Sequence, residues 1–375
     1  MLYSSIACNM DADLLQAALP LFAADQVEGL EWSFDTLYKQ PHLPDWFDEL
    51  LKTYGHADRL VGHGVFFSLF SGKWTPEQAQ WLSQLRELAS TYRFDHITEH
   101  FGFMTGDDFH KGAPLSVPFT ASTLALGRDR LARIQQACSC PVGLENLAFA
   151  YSFEDVQRHG DFLRQLIDPV NGFIILDLHN VYCQLQNFDI NSTTLLSAYP
   201  LDRVREIHIS GGSWTTSVHE PTRQIRRDTH DDAVPNSVLT LLEQTIPHCP
   251  NLKFVVLEQL GSALQTEENR AQFRLDFAQM DAIVQAANCQ HRPIDNISFL
   301  PITSSSDSSP LEDLQLYTQQ TELSTILETA VDYRHAQVLL QNSTLANSNW
   351  AIEQWDPYML ETALAIAQKW QHGFA

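Results

Sequence analysis

Basic residues are scarce in this 375-residue chain: 23 lysines and arginines face 46 aspartates and glutamates, a formal net charge of −23 at neutral pH. A nucleic-acid partner requires Lys and Arg to neutralise phosphates, so this balance argues against one. Long apolar runs are also missing. No stretch approaches the ~20 apolar residues of a membrane-spanning helix, so no membrane partner is expected. The opening residues, MLYSSIACNMDADLL, carry no basic segment ahead of an apolar one, and no secretory signal is expected. Cysteines number only six, at irregular positions. Cys138 and Cys140 alone are close, and a C-x-C pair has no strong metal or redox meaning. Free, mostly buried thiols in a reducing cytoplasm are the expectation. No internal repeat is evident. At 44% hydrophobic and 18% charged, the chain can still bury a sizeable core.

What is present is a series of strand-like apolar runs. In order they are SSIACNM near 4–10, VEGLEWSF near 27–34, RLVGHGVFF near 59–67, RFDHITEH near 93–100, CPVGLEN near 140–146, GFIILDLHN at 172–180, VREIHIS at 204–210 and LKFVVLEQ at 252–259. Continuous apolar runs of this kind suit strands buried on both faces of a parallel sheet. Between them lie segments with helical periodicity. TPEQAQWLSQLRELAS offers Thr75 as an N-cap and Pro76 at the first helical position, with Trp81, Leu82, Leu85, Leu88 and Ala89 on one face. Eight alternating strands and helices predict an α/β fold, a (β/α)8 TIM barrel.

The polar residues fall late in these runs. His63 follows RLVG, His100 follows HITE, Glu145 follows PVGL, Asp177 follows FIIL, His208 follows REI and Glu258 follows FVVL. Barrel active sites lie at the C-terminal strand ends, so these side chains are expected to converge on one mouth. The long loop after the seventh run adds Asp228 and His230. Buried ionisable groups are costly unless paired or metal-bound, and imidazole mixed with carboxylate suits zinc, iron or manganese. Three strand-end histidines, His230 and four carboxylates are too many for one ion and make two or three plausible. Asp177 and His208 are the candidate catalytic residues. Glu99, beside His100, is expected to orient a ligand rather than bind metal. His179 is read on the same strand face as Asp177, as a ligand or as a supporting group. Arg223, Arg226 and Arg227 are either solvated loop charges or a clamp for a substrate carboxylate. Cys8 is the only cysteine at a strand end.

The ordered set of His63, His100, Glu145, Asp177 with Asn180, His208, Asp228, His230 and Glu258 resembles the trinuclear site of xylose-isomerase-like barrels, the superfamily that includes endonuclease IV. The phrases HGVFFSLFSG, TEHFGF, LENLAFAY, LDLHNVY, EIHISGG and DTHDDAVP more closely resemble the multinuclear non-haem iron-dependent oxidative enzymes, in order over roughly residues 1–290. That resemblance implies two or three irons, mixed Fe(II) and Fe(III), with dioxygen as co-substrate. It further implies a ribosomally made precursor peptide as substrate, often modified at cysteine, and a partner protein that recruits the peptide leader. Carried over by position, His63, His100 and Glu145 would hold one metal. Glu145 would bridge to a second, held also by Asp177, His208 and Glu258, while Asn180, Asp228 and His230 would hold a third. Three positions depart from the family pattern: Gly212 stands for a second histidine, Gly261 for an aspartate and Leu147 for a proline. The alternatives are a metal-dependent phosphodiesterase of the endonuclease IV kind, which the acidic balance disfavours, and a sugar isomerase.

After about residue 295 the character changes. A Ser-rich linker at 296–310 separates a catalytic barrel, 1–295, from a helical extension, 311–375. TELSTILETAVDYRHAQVLLQ and PYMLETALAIAQKWQ read as amphipathic helices in that extension, and the barrel reads as complete without them.

Overall fold

A computed structural model describes residues 1–37, 42–106, 108–290, 298–302 and 308–372. Eight strands form the central sheet: β1 (Tyr3–Ala7), β2 (Gly29–Trp32), β3 (Leu60–Gly64), β4 (His96–His100), β5 (Val142–Glu145), β6 (Phe173–Asp177), β7 (Val204–Ile209) and β8 (Phe254–Leu257). Every neighbouring pair is parallel, and β8 pairs with β1 to close the barrel. The fold is therefore the predicted α/β TIM barrel. Around it run α1 (Ala12–Ala23), α2 (Asp45–His56), α3 (Pro76–Thr91), α4 (Ala121–Cys138), α5 (Phe153–Ile167), α6 (Leu178–Phe188), α7 (Ser192–Ala198), α8 (Asn236–Thr245) and α9 (Glu267–Cys289).

Local chemistry sets the helix starts. Thr75 and Gln78 form a reciprocal capping box with Pro76 in the first turn of α3, as the sequence predicts. Asp177 caps α6 through its side chain. The run GFIILDLHN is thus not one strand: β6 stops at Asp177, and His179 and Asn180 sit in the first turn of a helix rather than on a strand face. A carboxylate followed by helix-compatible Leu-His-Asn-Val both ends the strand and satisfies the orphan amides of the next element.

The main apolar core lies between strands and helices. Inside the barrel the apolar cluster is small, Val61, Phe254 and Val256 with Tyr3 and Ala7 against it. Phe173, 4.7 Å from the His96 ring, and polar groups take the remaining interior, with Glu31, His96, Glu206 and His208 fully buried. Two antiparallel hairpins sit on the loops. One joins Phe103–Met104 to Pro114–Leu115, and the other joins Trp214–Thr216 to Gln224–Arg226.

Residues 303–307 of the Ser-rich segment, with 296 and 297, lie outside the described residues. The part at 298–302 crosses the N-terminal end of the barrel. Phe299 is buried with its ring 5.7 Å from Phe173, and Asn171 Nδ2 donates to the carbonyls of Ser298 (2.5 Å) and Leu300 (3.2 Å). Beyond it lie α10 (Leu314–Thr329), α11 (Tyr333–Gln341) and α12 (Pro357–Trp370). The segment expected to be helical over 321–341 is broken at residues 330–332, where Asp332 caps α11. The extension packs on the barrel. Gln320 accepts from Gly72 N and donates to Phe70 O, and the Trp355 ring stacks on Tyr151 at 3.9 Å.

Candidate metal centre

Strand register brings the predicted residues together. His100 pairs with Glu145 across β4 and β5, and Asp177 with His208 across β6 and β7. Three donor atoms form a near-equilateral triangle. His63 Nε2 lies 3.3 Å from His100 Nε2, and each lies 3.3 Å from Glu145 Oε2. Donors bound at about 2.0–2.2 Å to one ion at angles between about 90° and the tetrahedral value sit roughly 3–3.5 Å apart, so this spacing fits a ligand set. Behind it, His63 Nδ1 meets Thr98 Oγ1 at 2.8 Å, which fixes the ring and leaves Nε2 facing the triangle.

Glu145 belongs to a second set with Asp177, His208 and Glu258, all buried apart from modest exposure of Glu258, with candidate ligand atoms within 4.8 Å of one another. His208 Nδ1 is 3.2 Å from Glu258 Oε2 and 3.9 Å from Glu145 Oε1. One carboxylate oxygen of Glu145 thus serves each set, the arrangement of a bridge. Asp177 Oδ2 and Asn180 Oδ1 are buried and have no hydrogen-bond partner among the described residues. Orphaned buried acceptors are expensive, and cations at these positions would satisfy them.

The third trio is looser. His230 Nε2 lies 2.9 Å from Asp228 Oδ1 and its Nδ1 lies 3.8 Å from Glu258 Oε2. Asn180 instead donates from Nδ2 to Asn146 O (2.8 Å) and to Glu145 Oε1 (3.3 Å). His179 has no lone pair to spare. Arg226 Nε, which can only donate, lies 3.2 Å from His179 Nε2, so Nδ1 carries the proton and faces Asp228 Oδ1 at 3.2 Å. The geometry thus makes His179 a support for Asp228.

Electrostatics follow from burial and from the charges these side chains place on one another. Burial opposes protonation of His63, but its hydrogen bond to Glu145 and the charges of Glu31 and Glu145 outweigh it and raise the imidazole to about 10. Burial and the neighbouring His63 hold His100 down to about 4. Burial and the charges of Glu145, Asp228 and Glu258 push Asp177 well above the carboxylate range. For Glu258 burial acts upward, but His208 and His230 overcome it and hold the carboxyl below its ordinary value.

Other expected residues land elsewhere. Glu99, at the opposite parity to His96, Thr98 and His100, faces outward from β4. A Cβ on Gly64 would meet its Oε2 at 2.3 Å and the Trp81 ring at 2.9 Å, so Glu99 lies against the helix layer rather than in the mouth. Arg223 donates to Asn187 O and lies over the Tyr358 ring at 3.8 Å. Arg226 is buried between the Tyr182 and Trp214 rings. Arg227 is half-buried, and burial lowers its pKa despite the nearby Asp228 and Asp231. Cys8 is buried and its thiol is pushed up to about 12 by desolvation, which leaves no thiolate near neutrality.

Sequence reasoning missed a layer beneath the mouth. His208 Nε2 lies 3.0 Å from Glu31 Oε2 and 3.6 Å from Glu206 Oε1. Glu206 Oε2 meets His96 Nε2 at 2.7 Å, and His96 Nδ1 meets Asp95 Oδ1 at 2.8 Å. Asp95 is in turn paired with Arg205 (2.7 Å) and Lys253 at the opposite end of the barrel. The signal was present: Glu206 and His208, like His96, Thr98 and His100, share parity within a strand. Two departures from the family pattern are also explained locally. A Cβ at Gly212 would lie 2.2 Å from Arg227 O, and one at Gly261 would lie 1.9 Å from the carboxylate of Asp11, which occupies that space.

Residues 39–272 match the family model described as RiPP precursor modification enzyme MbnB/TglH/ChrH, RiPPs being ribosomally made, post-translationally modified peptides. The chain belongs to this family. A UPF0276 protein of Acaryochloris marina is 28% identical over 283 residues, covering 68% of this chain and 91% of its own. Another, from Rhizobium meliloti, is 25% identical and covers 64% and 84%. Among solved structures, an L-ribulose 3-epimerase is 12% identical with a TM-score of 0.49, covering 77% of this chain and 96% of its own. Membership makes this chain an enzyme of RiPP precursor modification, with buried His and carboxylate groups able to hold metal. Among the described residues, no helix is long and apolar enough to cross a membrane.

Proposed function

We propose that the chain is an iron- and dioxygen-dependent enzyme that oxidises a residue of a ribosomally made precursor peptide. The observation that supports it best is the shared Glu145: two ligand sets meet on one carboxylate, His63–His100–Glu145 on one side and Asp177–His208–Glu258 on the other. Carboxylate-rich sites with several imidazoles suit iron in two oxidation states, since carboxylates favour the ferric ion and imidazoles tolerate the ferrous one. Bound iron would supply dioxygen activation and one-electron chemistry at the mouth.

The chain's own residues set the conditions. His63, His100 and Glu145 would hold one ion, and Glu145, Asp177, His208 and Glu258 a second. Asn180, Asp228 and His230 would hold a third where one is present. Arg226 and His179 orient Asp228, and Thr98 orients His63. Glu31 and Glu206 face the back of His208 and favour its Nε2–H form, which leaves Nδ1 toward the mouth. A separate partner protein that recruits the peptide leader completes the proposed system.

The test is elemental analysis of protein purified with and without air, followed by mass spectrometry of its peptide with and without dioxygen. Iron at two to three equivalents and a mass change only in the aerobic sample support the proposal. The same change under strict anaerobiosis, or full activity with zinc alone, would transfer the enzyme to the hydrolases.

A further inference from the structure

The hairpin of Trp214–Thr216 and Gln224–Arg226 rises between β7 and Asp228, at the rim of the mouth. Ser217 N donates to Arg223 O (3.0 Å) and Arg227 N to Ser213 O (2.9 Å). These bonds fix the parity of the ladder. Residues 213, 215 and 217 face the partner strand, so the backbone N–H and C=O of Trp214 and Thr216 face away from it. On the partner strand the outward groups of Arg226 are covered: Asn187 Oδ1 accepts from Arg226 N (2.8 Å), and Asn187 Nδ2 donates to Arg226 O (3.0 Å). Among the described residues, the Trp214–Thr216 edge has no such cover. All three residues are exposed, Trp214 by 44%.

Exposed edges are usually kept very short or blunted by charge, proline or a bulge, and this one has the first device, a strand of three residues. This one reads Trp-Thr-Thr-Ser-Val and has neither charge nor proline. It is also rigidly mounted. Glu361 of α12 accepts from Ser217 Oγ (2.9 Å), Val218 N (3.0 Å) and His219 N (2.5 Å), which locks the turn. At the base, Ser213 N donates to Thr229 Oγ1 at 2.8 Å, and a Cβ on Gly212 would lie 2.9 Å from His179 Cε1. The edge therefore runs directly down to the residues that support Asp228.

We propose that this edge docks an extended segment of the peptide substrate as a third, antiparallel strand. The identity of the occupant as substrate rests on the function proposed above. Only an extended backbone can match outward amide and carbonyl pairs two residues apart. Antiparallel pairing carries the peptide from Thr216 toward Trp214, so its C-terminal side is delivered to Gly212, His179 and the metal ligands. An apolar side chain opposite Trp214 is the expected preference.

The experiment pans a phage-displayed library of random 12-residue peptides on the full-length, iron-loaded protein, and the selected sequence is synthesised. Hydrogen exchange of the bound protein is expected to show at least tenfold protection of the Trp214 and Thr216 amides. Methylating alternate backbone nitrogens of the peptide is expected to abolish binding in one register and spare it in the other. In the protein, Thr216→Pro removes an outward N–H, spares the backbone bonds of the ladder, loses the Gln224 side-chain bond to Thr216 Oγ1 and is expected to weaken binding tenfold or more, whereas Thr216→Val, which loses only that side-chain bond, is expected to bind as wild type. Failure to select binders, binding without protection at these amides, or tolerance of both methylation registers overturns the proposal. Protection that rises with protein concentration alone also overturns it and assigns the edge to a second copy. Iron content is measured on the same samples. Docking without iron would remove the iron chemistry and leave the edge, and iron-dependent oxidation with an indifferent edge would do the reverse.

Discussion

Asp177→Asn should move the stability of metal-free and metal-loaded protein in opposite directions. Asp177 Oδ1 accepts from Asn180 N at 2.5 Å and caps α6, and an asparagine oxygen can keep that bond. Asp177 Oδ2 is buried with no donor among the described residues, and Glu145, Asp228 and Glu258 repel it. Replacing an unsatisfied, repelled carboxylate oxygen by an amide NH2 removes a cost of about 1–3 kcal/mol. With an unfolding entropy of about 2.1 cal/mol/K per residue, this chain gains roughly 1–4 °C in melting temperature. The metal-loaded protein should respond the other way. Ligand at ~100 times its Kd stabilises by about 2.7 kcal/mol, and a hundredfold loss of affinity leaves only ~0.4 kcal/mol. The assay is differential scanning calorimetry of chelator-stripped and anaerobically Fe(II)-reloaded protein, both variants side by side. A metal-free Asn variant that melts lower than wild type would show that the Asp177 carboxylate is satisfied without metal. An unchanged metal-induced shift would remove Asp177 from the ligand set.

Three further outcomes are expected. Glu145→Gln should lower bound metal by at least one equivalent with an unchanged circular dichroism spectrum, because it removes the carboxylate common to both sets; full occupancy would exclude the bridge. His159 is buried against Phe101, and desolvation depresses its imidazole to about 3. The unfolded chain therefore binds this proton first as pH falls below about 6.5, so stability is full above that pH and about 2 kcal/mol is lost by pH 5; His159→Phe should flatten that part of a urea-midpoint profile against pH, and an unaltered slope would refute it. Deleting residues 311–372 exposes apolar partners of Leu323, Trp350 and Tyr358 in the shared core and is expected to yield insoluble or much less stable protein; a soluble truncation with unchanged melting would make the extension an appendage.

The barrel and the rim of its mouth were legible because parallel strands are apolar nearly throughout, so His63, Glu145 or Asp177 stands out at the end of a run. Glu31, His96 and Glu206 escaped notice because they lie within runs, where one charge resembles a flaw in the pattern. Only the register that sets β2, β4 and β7 around one axis makes them a group. His179 was misplaced because strand parity was extended past Asp177, where an N-cap had already changed the period from 2 to 3.6. The uncovered hairpin edge was not legible at all, since nothing in Trp-Thr-Thr distinguishes a paired strand from an open one.

The path of the extension has a consequence for biosynthesis. The chain leaves α9, passes beneath the barrel at Phe299 and climbs back to the rim, where Glu361 receives its three donors from the hairpin turn. Domains emerging from the ribosome fold from the N-terminal side. All eight strands and every candidate ligand are therefore synthesised before the helix that clamps the mouth. The nascent barrel passes through a stage in which its ligand pocket is assembled but its rim is still loose, and that interval is when a metal ion has its widest way in.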